Sequence, residues 1–410
     1  MYNFSSHVIH GTLPKSGLSY YSIDKCNNMS TDYDVFLVIQ GGSSIEKDSE
    51  HGISHLLEHM SVLGVLYSEE QDFLSFPAYI QAFTNFNETV FQFVLKNASF
   101  SYLSKCISIA KNILTQKGLY EKTLTLAKTE LINELEKMNP SLSGTLNAIP
   151  CPQLNKLKIP AGNLSCINRL RLEDVIEHHK KWCLPEESSI IISSNFESFK
   201  IAQLLMDVFE NNVSVGNFAW NEQKIPTKIT QREHISYEKQ VPNITLLSIV
   251  ERDFHQLDKY MLLSIGLHIA LDALVMKMKR FSNSNFITVS VEIISIDLWL
   301  IRFEIQPQCC NDCSDILKKF RNLTLSVNAY SNAKRRYANK ALQFRQTKKA
   351  GQPLDLFVEC IANFLYDEPI FDVVDEADYI LRVLPNVNYN LVRSKFEAIT
   401  KCLVVSSHLK

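Results

Sequence analysis

HGISHLLEHM, residues 51–60, is the stretch on which the reading of the whole chain turns. At 3.6 residues per turn, Ile53, Leu56, Leu57 and Met60 follow the i, i+3, i+4, i+7 spacing of a helix face that packs on a core. His55, Glu58 and His59 then fall on the opposite side, within one turn of each other. Two imidazoles at i and i+4 can close on one zinc ion through ring nitrogens. A glutamate between them projects beside the metal, where it can hold and deprotonate a water. His51 extends the four-residue spacing to 51, 55 and 59, but a tri-histidine stripe would leave Glu58 without a role.

A catalytic zinc takes three protein ligands and keeps one open position. The next acid-bearing helix is predicted over 121–138, with an apolar face of Leu124, Ala127, Leu131, Leu135 and Met138. It carries Glu130, Glu134 and Glu136. Glu130 and Glu134 lie on one flank of that face, whereas Glu136 is roughly 160° from Glu134 at 100° per residue. The third ligand is therefore Glu134 or Glu130, and the other of the pair would orient a ligand histidine by hydrogen bonding.

Around these helices the chain alternates strands and helices. VFLVIQGG (35–42) reads as a buried strand ending at Gly41-Gly42, where the backbone turns or approaches another segment closely. AFTNFNETVFQFVL (82–95) reads as strand, with Asn-Phe-Asn-Glu as a turn. Helices are expected over 98–115 and 171–183, and a strand over 188–195. The polar stretch 218–233 reads as an interdomain linker between a first domain, 1–217, and a second, 234–410. In the second, strands are expected at 243–250 and within 286–306, and helices at 257–278, 314–325, 329–347 and 353–366. The expected class is α+β: two domains of similar element order, each a mostly antiparallel sheet packed with helices.

Composition narrows the partners. The 410 residues carry a net charge of −2 and no long basic block, so neither nucleic acid nor an anionic membrane is the expected partner. No run of about eighteen apolar residues suggests a membrane span, and the first residues lack a secretory-signal pattern. Ten scattered cysteines suit free thiols in a cytoplasmic protein.

The order Gly41, Gly42, Ser43, Glu46, Gly52, His55, Glu58, His59, Met60 resembles the signature of the pitrilysin/insulinase family of zinc peptidases, whose His-x-x-Glu-His is the inverted zincin motif. IQAFTNFNETVF (80–91) is similar to a family strand through Ala82, Thr84, Thr89 and Phe91, and INELEKMNP (132–140) to the helix bearing the third ligand. The resemblance implies zinc held by His55, His59 and Glu134, with Glu58 as general base. It also implies a substrate-binding strand that includes Ala82, Phe83, Thr84 and Asn85. The family's earlier glutamate sits two turns before the ligand. That position is Ala127 here, and the resemblance implies Glu130, one turn before, as its substitute.

In its second domain the family commonly carries an Arg and a Tyr seven residues apart that bind substrate backbone. Here Lys279 and Phe286 hold those positions, with Arg280 one residue off register. Phe donates no phenolic hydrogen bond, and Lys lacks the planar fork of Arg. A complete metal half beside an eroded clamp resembles the short processing peptidases that work as heterodimers, one subunit supplying zinc and a homologous partner the Arg/Tyr clamp. The expected activity is endopeptidase cleavage of unfolded peptides in an enclosed chamber, such as leader-peptide removal from a ribosomally made precursor. The alternatives are a homodimeric oligopeptidase using Arg280, and a catalytically silent scaffold subunit. Two further features are expected to be structural: Cys309, Cys310 and Cys313 as thiols near a helix start, and His178-His179 as a helix surface pair.

Overall fold

Strand Tyr33–Gln40 (β3) shows how the first sheet is covered. Val35, Leu37 and Ile39 point into one apolar cluster while Phe36 and Val38 point into another, so alternate residues are buried on opposite faces. The computed structural model describes residues 5–25, 32–67, 78–97, 99–137, 158–211, 244–252, 257–282, 287–295, 298–305, 313–347, 353–371 and 373–407. The sheet also contains Val8–Thr12 (β1), Ser19–Asp24 (β2), Ala78–Thr84 (β4), Glu88–Leu95 (β5) and Ser188–Ser194 (β6), in the order β1-β2-β6-β3-β5-β4. Its pairs are antiparallel except β2 with β6.

One face carries Ile53–Leu66 (α1), Phe100–Leu114 (α2), Glu121–Lys137 (α3), Leu164–Arg169 (α4), Leu172–Trp182 (α5) and Ser198–Phe209 (α6). Their apolar stripes merge with the sheet into a single core that includes Leu56, Met60, Ile107, Leu131, Val175 and Leu205. The other face is covered by Pro353–Tyr366 (α10), through Leu356, Phe357 and Cys360 packed on Tyr21, Phe36, Val38 and Ile191. Tyr21 Oη donates to Asn363 Oδ1 at 2.8 Å, so the buried phenol is satisfied from the same helix.

The chain divides into two compact units, and α10 belongs to the first although it lies within the span 234–410. The boundary expected from sequence is thus crossed by one helix. The expected linker 218–233 lies outside the described residues.

The second unit is built on an all-antiparallel sheet of Ile244–Glu251 (β7), Ile287–Ser295 (β8), Leu298–Ile305 (β9) and Val404–Ser407 (β10), ordered β10-β7-β9-β8. Its helices are Leu257–Ser282 (α7), Cys313–Arg321 (α8), Val327–Thr347 (α9), Val373–Val383 (α11) and Tyr389–Lys401 (α12). By length and composition α7 could cross a bilayer, but Ile265, Leu267, Ile269 and Leu274 are buried within the unit, as in the core helix of a folded domain. The α+β class, with mostly antiparallel sheets packed by helices, is as expected.

Candidate metal centre

The site starts with how α1 is launched. β3 ends at Gly41-Gly42, and a Cβ on Gly42 would lie 2.2 Å from the carbonyl oxygen of Asn85, so only glycine fits against this turn. Ser43 N and Ser44 N donate to the Asn85 and Phe86 carbonyls at 3.0 and 2.8 Å, tying the strand end to the turn between β4 and β5. Gly52, the residue before α1, has φ of 104°, a conformation L side chains rarely adopt. The buried carboxylate of Glu46 accepts from Gly52 N at 2.8 Å and Ser54 N at 3.0 Å, serving backbone donors at the positive end of the helix. Burial nonetheless pushes this carboxyl up to about 7, against those two hydrogen bonds.

From that start Ile53, Leu56 and Met60 are fully buried and Leu57 nearly so, as the apolar spacing requires. His55 and His59 project from the other side and meet the helix bearing Glu134. Their Nε2 atoms lie 3.3 Å apart, and Glu134 Oε2 is 3.8 Å from His55 Nε2 and 3.5 Å from His59 Nε2. Among the described residues, His55, His59 and Glu134 form the one cluster whose ligand atoms all lie within 4.8 Å of one another. Zinc–ligand bonds of about 2.0–2.1 Å set tetrahedral donors about 3.3–3.4 Å apart. The residues present therefore fit the ion: two imidazole nitrogens and a carboxylate converge at that spacing.

Glu130 sits behind His59, with Oε2 3.2 Å from Nδ1, so the far nitrogen is engaged and Nε2 faces the site. Of the two acids left open by helical geometry, Glu134 is on the side of the converging nitrogens and Glu130 is on the back. His51 is turned away, its Nε2 3.0 Å from the Ile159 carbonyl. Glu58 is almost fully buried and accepts a hydrogen bond from Thr84 Oγ1 at 2.9 Å.

The electrostatics are those of a cation pocket. Burial opposes charge on His59, but its hydrogen bonds to Glu130 and Glu134 and the Glu58 charge together push it up to about 10. Burial and the neighbouring His59 push His55 down to about 4. Burial raises Glu58 to about 7. The hydrogen bond to His59, then the charges of both histidines, hold Glu134 below the usual carboxylate range. Three carboxylates around two imidazoles favour a positive occupant.

The predicted substrate strand is β4, which lies at the sheet's edge among the described strands. Tyr79, Gln81 and Phe83 are exposed, whereas Ile80, Ala82 and Thr84 are half-buried on the other face. Asn85 donates from Nδ2 to Glu88 Oε1 at 2.6 Å, closing the turn. Lys279 and Arg280 belong to the second unit, in the last turn of α7, the first half-buried and the second exposed. Phe286, Cys309 and Cys310 lie outside the described residues, and Cys313 opens α8.

One expectation is overturned. His178 and His179 are not a surface pair: both are buried, because α5 packs against α1. His178 Nε2 lies 3.3 Å from Ser54 Oγ, and His179 Nε2 is 2.7 Å from the Ile113 carbonyl. Sequence reasoning also left three arrangements unread: the Glu46 cap, the Thr84 contact to Glu58, and the segment 158–163 that wraps His51. Glu46 was visible as a fixed place in the motif, and Thr84 in the strand pattern. Nothing in the sequence marks the third.

Residues 26–149 match the sequence model of Insulinase (Peptidase family M16). The "Probable zinc protease PqqL" of Haemophilus influenzae is 25% identical over 214 residues, which is 49% of this chain and 23% of that protein. The chloroplastic stromal processing peptidase of Pisum sativum is 23% identical over 196 residues, 45% of this chain and 15% of that protein. The chain thus matches only a minor part of the length of these curated relatives. The crystal structure of the first half of the periplasmic protease PqqL from Escherichia coli superposes with a TM-score of 0.73 at 16% identity, covering 98% of this chain and 91% of that one. That likeness shows the fold. The resemblance drawn from the Gly41-to-Met60 signature is borne out by the match of residues 26–149 to the insulinase family model.

Proposed function

We propose that the chain is a zinc-dependent endopeptidase acting on extended, unfolded peptides. The observation that carries this reading is the convergence of His55 Nε2, His59 Nε2 and Glu134 Oε2, with the buried Glu58 beside them. When bound, zinc would polarise a scissile carbonyl and acidify a water. The chain's own residues do the rest. Glu58 accepts the water proton and passes it to the leaving amine, a task suited to a carboxyl raised to about 7 by burial. Glu130 holds the His59 ring in the orientation that leaves Nε2 free. The side of β4 that pairs with no other described strand offers backbone donors and acceptors to a peptide added as a further strand, which reads extended shape more than side chains.

In this reading the chain is the zinc-bearing member of a pair whose homologous partner supplies the clamp that Lys279, Arg280 and Phe286 do not reproduce. Its substrate would be a precursor whose leader is removed. The likeness to a processing peptidase and to half of a larger protease supports the pairing. Among the described residues Cys106, Cys166, Cys183 and Cys360 are free thiols, which supports a reducing compartment such as the cytoplasm. The test is cleavage of unstructured peptides by the zinc-loaded chain, alone and with a co-purified partner. Glu58→Gln is expected to keep stoichiometric zinc and lose turnover. Persistent turnover would sink Glu58 as the base, and full activity as a monomer would sink the pairing.

A further inference from the structure

Thr84 ends β4, and across the ladder it faces Thr89 of β5. The two hydroxyls lie 3.4 Å apart, and Thr89 Oγ1 donates to the Gly41 carbonyl at 3.0 Å. The Thr89 proton is therefore committed to Gly41, at the end of β3. The Thr84 hydroxyl is left to donate to Glu58 Oε2 at 2.9 Å. Among the described residues no other hydrogen bond reaches that carboxylate, and the nearest ring nitrogen, His55 Nε2, is 3.8 Å away. Glu58 is buried, so its rotamer is set by packing and by this donor.

We infer that Thr84 is a positioning residue for the reaction assigned under Proposed function, holding the Glu58 carboxylate from the end of the edge strand. The inference rests on that reading for its catalytic meaning, although the contact itself does not. Its consequence is a link between substrate capture and chemistry. A peptide that pairs along the outer side of β4 orders the backbone carrying the Oγ1 that aims the base. Turnover should then depend on this hydroxyl more than binding does, because the group touches Glu58 and not the scissile bond.

Two substitutions separate positioning from a purely structural role. Thr84→Val keeps the shape and β-branching and removes the donor, while Thr84→Ser keeps the donor and removes the methyl group. A hydrogen bond to a charged group has the size of about a tenfold to hundredfold change in rate. Thr84→Val is expected to lower kcat by about that factor with KM nearly unchanged and zinc content intact, and Thr84→Ser to recover most of it. If packing is all that matters, the order reverses, with Val near wild type and Ser impaired, and the inference falls.

A second readout needs neither metal nor substrate. In thermal melts of the metal-free protein, Thr84→Val should lower Tm in the wild-type background but not in Glu58→Ala. Equal shifts in both backgrounds would overturn the contact. Should the wild-type chain cleave no peptide, the peptidase reading fails while the melting cycle still decides this one.

Discussion

Alanine substitutions at Glu134 and Glu130 test the division of labour in the metal centre. Glu134 Oε2 lies 3.5 and 3.8 Å from the two Nε2 atoms that converge on the site. Glu130 Oε2 lies 3.2 Å from His59 Nδ1, on the far side of the ring, so it acts on the ion only through that ring. Losing such a partner typically costs about 10- to 100-fold in metal affinity, or roughly 1.4–2.7 kcal/mol. Glu134→Ala removes one of three donors and the one carboxylate among them, so a loss of about a thousandfold or more, roughly 4 kcal/mol, is expected.

The assay is zinc titration against a competing chelator, with melting of the zinc-free and zinc-saturated forms. At zinc about a thousandfold above the wild-type Kd, binding stabilises the fold by about 4 kcal/mol. At the same concentration Glu130→Ala should retain about 1.4–2.7 kcal/mol of that gain, and Glu134→Ala well under 1 kcal/mol. If Glu130→Ala loses more than Glu134→Ala, the roles are exchanged and the reading of which acid faces the ion is wrong. Equal losses would refute it as well, since they would leave no distinction between a ligand and the residue that orients one.

Gly52→Ala should destabilise the first unit. Positive φ in a residue with a side chain costs about 1–3 kcal/mol, and the new Cβ would lie 2.9 Å from Ile167 side-chain atoms and 3.0 Å from the Gly162 Cα. Chemical denaturation with an unchanged midpoint would refute this. His178 is buried near Ser54, and burial pushes it down to about 4 from an ordinary 6.5. Its contribution is therefore full above pH 6.5 and lost as pH falls from 6.5 toward 4, because the unfolded chain takes up a proton there and the folded one does not. His178→Gln should flatten the pH dependence of Tm in that window, and a curve parallel to wild type would exclude His178 as its source.

How much of this could be read from the sequence depended on whether a feature was local to one element. The α1 face was legible because Ile53, Leu56, Leu57 and Met60 and the opposed His55, Glu58 and His59 obey a single helical period. Glu134 and Glu130 narrowed to a pair for the same reason. The choice between them needed the resemblance, because it depends on how two helices cross. His178-His179 was misread because α5 carries lysines and glutamates beside the pair, a pattern that suits solvent, while packing against α1 buries those two rings. The position of α10 was not legible either. Its apolar stripe shows that it packs, not on which sheet, and 353–366 lies far in sequence from the strands it covers.

In the proposed reading the same contrast explains how the site divides its tasks. Each metal-facing group retains some exposure, with the Glu134 side chain at 42%, whereas Glu58 is at 7%. An ion and a substrate must reach the first set, so that rim stays open. The base gains from the opposite treatment, since burial raises its carboxyl toward neutrality, where a group can both take and return a proton. A buried carboxylate needs a donor to remain in place. The donor present, Thr84, comes from the strand at the sheet's edge among the described strands rather than from either ligand-bearing helix. In that reading metal binding and base positioning rest on different elements, α1 with α3 for the first and α1 with β4 for the second. A perturbation of the edge strand should reach turnover while leaving zinc affinity intact.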